Sequence, residues 1–169
     1  TVNTVKNKFN DFILKWPSVN KLAQTSEPNI LKFWSGLGYY SRARNLLKSA
    51  KMINKNFKNQ IPQTYNDLIQ LPGIGDYTAK AILGIGFNKS VMPVDANIER
   101  ILARLHAINK PINKVKSKLK DLGNKFISNK YSSNLIQSFM DYGSEICLPR
   151  NPKCNICGIN KFCQSYKKN

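Results

Sequence analysis

Leu71-Pro72-Gly73-Ile74-Gly75 separates two segments, 64–70 and 76–87, that read as helical. Two glycines after Leu-Pro cannot continue a helix, so the stretch reads as a tight hairpin joining the two. Glycine lets backbone N–H groups approach an oxygen anion, and the start of the following helix adds the positive end of its dipole. Such an element grips a phosphate without reading base sequence. Gly73, Ile74 and Gly75 are the expected grip, and Lys80, one turn into the next helix, stands where it can assist. The plainer alternative is a glycine-capped corner with Lys80 as a solvated surface residue.

Working outward, the pattern is helical throughout. Val2, Val5, Phe9, Phe12, Ile13 and Leu14 recur at helical spacing and predict a helix over 2–16 that Pro17 stops. Ser18 can cap a helix over 19–24, and 27–35 carries Ile30, Leu31 and Trp34 on one face. Gly36-Leu37-Gly38 breaks that helix, and a long basic helix over 39–55 follows, carrying Ala43, Leu46, Leu47 and Met52. Ile61-Pro62-Gln63-Thr64 is a turn ending in a cap. Beyond the hairpin, Met92-Pro93-Val94 is extended, and helices are predicted over 95–107, 113–128 and 131–146. From Leu148 onward, Pro149, Pro152 and Gly158 among cysteines describe an irregular loop. No segment alternates as a strand does, so the expected class is all-α. Asn109-Lys110-Pro111 is the one weak boundary. The chain opens at Thr1 without Met and reads as helical from Val2, the expectation for a piece of a longer protein.

The 169 residues suit one compact unit or two small packed ones, and the formal net charge of +18 points to a polyanionic partner. Lysine-rich composition supplies part of that charge by bias alone, and an anionic membrane surface is the lesser option. No run of about 18 apolar residues and no charged-then-apolar leader is present, so no membrane span is expected. The four cysteines all fall between Cys147 and Cys163. A disulfide-stapled domain would spread them through the chain; clustering points to a metal and a reducing cytoplasm.

The spacing is Cys147-x6-Cys154-x2-Cys157-x5-Cys163. Four thiolates this close in sequence can wrap one centre, and both zinc and a cubane iron–sulfur cluster accept them. Zinc ribbons show two separated CxxC knuckles, whereas here a single CxxC is flanked by longer gaps. This spacing resembles the iron–sulfur loop of the endonuclease III superfamily of DNA glycosylases, and Leu71–Gly75 resembles their helix–hairpin–helix element. Phe33-Trp34-Ser35-Gly36-Leu37-Gly38-Tyr39-Tyr40-Ser41-Arg42-Ala43-Arg44-Asn45-Leu46 is similar to the signature of the MutY-type adenine DNA glycosylases within it.

The resemblance runs along essentially the whole chain. It implies the helix–hairpin–helix glycosylase fold, with a helical barrel over 1–109 and a cluster domain over 110–169. It implies a [4Fe–4S] cluster on Cys147, Cys154, Cys157 and Cys163. In Val94-Asp95-Ala96-Asn97 it implies a catalytic Asp95, which also suits a helix N-cap, with Asn97 helping to place it. Tyr39, projecting from a helix start after Gly-Leu-Gly, is the expected wedge between stacked bases, and Arg42 and Arg44 suit phosphates; Trp34 and Tyr40 suit core positions.

Strand-cutting members of the superfamily carry a nucleophilic Lys two residues after the last hairpin glycine. Here that residue is Tyr77, which cannot form a Schiff base. The implied activity is monofunctional removal of adenine paired with 8-oxoguanine or guanine in double-stranded DNA, by a bacterial, cytoplasmic, nucleoid-associated monomer. A strand-cutting pyrimidine glycosylase of the same fold and a non-catalytic DNA-binding module are the alternatives. The family's general-acid Glu finds no match among Glu27, Glu99 and Glu145, and no 8-oxoguanine-reading domain is recognised. His106 reads as structural.

Overall fold

The computed structural model describes residues 2–127 and 130–168, with only the backbone of Val2, Asn3, Thr4 and Asn7. Helices α1 (Val2–Lys15), α2 (Val19–Ala23), α3 (Glu27–Trp34), α4 (Tyr40–Asn56) and α5 (Tyr65–Leu68) lie before the hairpin. After it come α6 (Asp76–Ala81), α7 (Ala96–Leu105), α8 (Lys116–Asn124), α9 (Ser132–Glu145) and α10 (Gln164–Lys167). No strand occurs among the described residues. None of the described helices is long and apolar enough to cross a membrane.

The chain divides into two compact units, Thr1–Gly75 and Asp76–Asn169. Each has its own core. In the first, Trp16, Leu22, Ile30, Ala43, Leu47 and Ala50 are buried together, and Phe12, Trp16 and Phe33 meet with ring centroids 5.1–5.9 Å apart. In the second, Met92, Ile98, Leu102, Val115, Leu119 and Ile136 form the centre. Residues 109–111 therefore lie inside the second unit, because α7 before them packs on α8 and α9 after them.

Most element ends follow local chemistry. Ser18 accepts from Lys21 N at 3.2 Å, Thr64 from Asp67 N at 3.2 Å and Asp95 from Ile98 N at 2.8 Å, so all three expected caps form. Two helices differ from expectation. The one predicted over 76–87 is α-helical only to Ala81, and Ile82–Gly86 widens into a π-turn. There Gly84 faces Ile136 and the Val91 carbonyl so closely that a Cβ would lie 2.4 and 2.8 Å from them. The helix predicted over 113–128 is a 3-10 turn, Ile112–Lys114, followed by the shorter α8; Ser128 lies outside the described residues.

Candidate functional site

In the first unit the loop between α3 and α4 is held in an unusual backbone. Gly36, Gly38 and Tyr39 take φ of 84°, 69° and 46°. Gly36 and Gly38 are suited to this; Tyr39 is not, and side chains seldom adopt it. The loop is pinned from below by Trp34 Nε1, which donates to Gly38 O at 3.0 Å. Lys8 donates to the Phe33 and Ser35 carbonyls at the end of α3. The result is a Tyr39 ring 81% exposed at the start of α4. Tyr40 is 43% exposed, against its expected core role, whereas Trp34 packs on the core. Arg42 sits 5.9 Å from the Trp34 ring centroid. Arg44 is bound to Glu27 at 2.8 Å, and so is tied within the unit.

The hairpin lies on α4. Ser49 Oγ donates to Pro72 O at 2.8 Å, and Leu71 is buried. Gly73 has φ 82°, and a Cβ there would stand 2.8 Å from Asn45 Cβ, so both dihedral and space demand glycine. Gly75 differs: its φ is not positive and no atom lies within 4 Å of where a Cβ would point. Nothing described within the protein requires glycine there.

In the second unit, Asp76 receives Lys80 Nζ at 2.8 Å and Lys120 Nζ at 2.9 Å. Lys80 is thus already paired, with Lys120 beside it. Tyr77 is 43% exposed. Its phenol is held above the ordinary value of 10.0 by partial burial and then by the nearby Asp95 carboxylate. Asp95 caps α7 through Oδ1. The structure thus brings Tyr77 and Asp95 into electrostatic range.

Asn97, two residues into the same turn, accepts from Arg100 Nη2 at 2.8 Å. Arg100 also donates from Nη2 to Gly143 O at 2.6 Å and from Nε to Cys147 O at 2.8 Å. Arg104, one turn later, donates to Leu148 O at 2.6 Å and Pro149 O at 3.0 Å, and its Nη1 lies 3.4 Å from Cys147 Sγ. The two arginines staple α7 to the end of α9 and to the beginning of the cysteine loop.

That loop folds through two 3-10 turns, Cys154–Ile156 and Asn160–Phe162. Cys147, Cys154, Cys157 and Cys163 all line one cavity of about 130 Å³, walled otherwise by groups such as Ile101, Leu105 and Tyr142. Among the described residues, no three His, Cys, Asp or Glu side chains converge as a group suited to a single metal ion. Tyr142 Oη donates to Cys157 Sγ at 3.0 Å, and burial followed by this bond raises its phenol pKa. His106 closes α7 with its Nε2 buried and unpartnered among the described residues.

The profile of HhH-GPD superfamily base excision DNA repair proteins matches residues 1–125. The chain belongs to this superfamily. It is 41% identical over 172 residues to an adenine DNA glycosylase of Buchnera aphidicola subsp. Baizongia pistaciae (strain Bp), covering 99% of this chain and 48% of the relative. Against an adenine DNA glycosylase of Rattus norvegicus the identity is 35% over 170 residues, covering 99% of this chain and 33% of that protein. The solved structure of a thermostable thymine-DNA glycosylase superposes with a TM-score of 0.90 at 28% identity, covering 100% of this chain and 79% of the other. The chain therefore spans about half the length, or less, of these curated relatives.

Within this HhH-GPD chain, Arg100, Arg104, Gly143 and Tyr142 were not legible as site residues. One signal was available. Only five of the 27 basic residues are arginine, and a planar fork is what several carbonyls around one point require.

Proposed function

We propose that the protein excises adenine paired with 8-oxoguanine or guanine from double-stranded DNA, by hydrolysis and without cutting the strand. The observation that carries this is that the residue two positions past the last hairpin glycine, within electrostatic range of Asp95, is Tyr77 and not a lysine. Loss of a base leaves positive charge on the sugar, and a fixed carboxylate at that position stabilises it. Asp95 is fixed by its cap to Ile98, and Arg100 holds Asn97 two residues on. The Tyr77 phenol keeps its proton at neutral pH, so it can donate a hydrogen bond but cannot form an imine.

The remaining residues are assigned to DNA. Tyr39, exposed on a strained backbone, wedges into the base stack while the target nucleotide leaves it. Gly73 and Gly75 present backbone N–H groups to a phosphate, the open space at Gly75 leaving room for it; Ile74, expected to share the grip, instead donates its N–H to Leu71 O at 3.0 Å within the hairpin. Arg42 and Lys80 add positive charge. The protein acts as a monomer in the bacterial cytoplasm, at the nucleoid. The barrel over 1–109 and the cluster domain over 110–169 are assigned as a functional division, distinct from the two compact units Thr1–Gly75 and Asp76–Asn169.

Cys147, Cys154, Cys157 and Cys163 are assigned to a [4Fe–4S] cluster. All four line one cavity, and their spacing, a single CxxC between longer gaps, is unlike the paired CxxC knuckles of a zinc ribbon. When bound, the group supplies a cross-link that folds the loop carrying Arg150, Lys153 and Lys161.

The full-length protein should release adenine from an A:8-oxoguanine duplex, leave the abasic strand intact and form no borohydride-trapped adduct. A trapped adduct with strand cleavage would overturn the proposal in favour of the strand-cutting alternative.

A further inference from the structure

The contacts to cysteine sulfur among the described residues are unequal. Arg104 Nη1 reaches Cys147 Sγ at 3.4 Å, but the same nitrogen donates to Leu148 O at 2.6 Å. Cys163 Sγ lies 3.4 Å from the Arg104 carbonyl, a contact that requires the thiol proton. Tyr142 Oη stands 3.0 Å from Cys157 Sγ and donates to it.

Tyr142 lies on α9 beside Gly143, the residue that Arg100 holds. Its ring lines the cysteine cavity and also an adjoining apolar groove, with Ile101, Leu105 and Ile159 common to both. The phenol thus presents a polar hydrogen to the sulfur from a wall in which Ile101, Leu105 and Ile159 stand beside Arg104, Lys153 and Asn160. A hydrogen bond to an anionic sulfur is charge-assisted, and so stronger than one to a neutral acceptor.

Resting on the iron–sulfur assignment above, we propose that Tyr142 tunes the cluster through Cys157, its O–H···S bond raising the reduction potential. The bond draws electron density from the sulfur. The reduced cluster carries one more negative charge than the oxidised one, so the donor stabilises it more. The couple is one electron supplied by an electrode, and the phenol proton stays on oxygen.

The test uses the full chain reconstituted with iron and sulfide, with iron content and potential measured separately. Y142F, which keeps the ring and removes the donor, should load the cluster and reduce at a more negative potential. 3-Fluorotyrosine at the same position, a more acidic donor, should shift it positive. An about tenfold change in the oxidised-to-reduced ratio corresponds to 59 mV for one electron, and shifts between about twofold and tenfold are expected. Equal potentials in loaded wild type and Y142F would overturn this role and leave the cluster assignment standing. If Y142F holds no iron, wild type against fluorotyrosine decides, and an unchanged potential overturns the role. A wild-type chain that takes zinc and no iron–sulfur cluster would overturn both.

Discussion

Replacing Gly143 with Ala sets two effects of opposite sign against each other. Gly143 is buried in α9, and in an ordinary helix interior alanine would be favoured by about 1 kcal/mol. Here the new Cβ would lie 2.6 Å from Asn97 Cβ and 3.1 Å from Asn97 Cγ. Carbon atoms prefer about 3.5–4.0 Å, so the backbones of α7 and α9 must part by roughly 1 Å at this point. Overpacking of that size costs about 1–3 kcal/mol. Parting the helices also lengthens the bond from Arg100 to the Gly143 carbonyl, now 2.6 Å. A charge-assisted bond of this kind is worth about 1.5–3 kcal/mol, of which part is lost. The clash outweighs the propensity gain, and G143A should be destabilised by about 1–4 kcal/mol in urea unfolding followed by circular dichroism. Gly86→Ala is the control, because no atom lies within 4 Å of its Cβ position. If G143A proves as stable as the parent while Gly86→Ala behaves as expected, the close approach of α7 and α9 does not constrain this position and the reasoning fails.

Gly75→Ala should leave stability within about 0.5 kcal/mol, since its Cβ points into open space, yet weaken binding to duplex DNA equally for matched and mismatched sequences; undiminished affinity in a fluorescence titration would remove Gly75 from the phosphate grip. Arg104→Lys keeps the charge but loses the fork across Leu148 and Pro149, so iron retention under dialysis against a chelator should fall clearly below the parent's; equal retention would show that the fork does not matter. Tyr77 has a raised folded pKa, so its contribution to stability is present below the free phenol value of about 10 and is lost as pH rises through the folded value. Tyr77→Phe should therefore flatten the alkaline limb of stability against pH, and an unchanged limb would contradict the partial burial of the Tyr77 phenol near Asp95.

Much of the fold can be read locally. The caps at Ser18, Thr64 and Asp95, the stop at Pro17 and the break at Gly36-Leu37-Gly38 depend on residues within one or two turns, so the sequence alone determines them. The same holds for family membership and for the cysteine spacing, because both are patterns along the chain. What the pattern misses is where long-range packing decides. The helix predicted over 76–87 widens after Ala81 where Gly84 meets Ile136, fifty-two positions away. Tyr40, read as a core aromatic, is 43% exposed at the start of α4, just after the left-handed Tyr39. Arg44, which suits a phosphate, also meets Glu27 at the surface of the first unit, a contact that no local pattern announces. Asp95, Tyr77 and the cysteines could be named from their motifs, but Arg100, Arg104, Gly143 and Tyr142 acquire meaning only when α7, α9 and the loop meet. An arginine's partners are carbonyls, which every residue carries, so no side-chain code in the sequence announces them. Only the tertiary arrangement decides which carbonyls and which sulfur a donor faces.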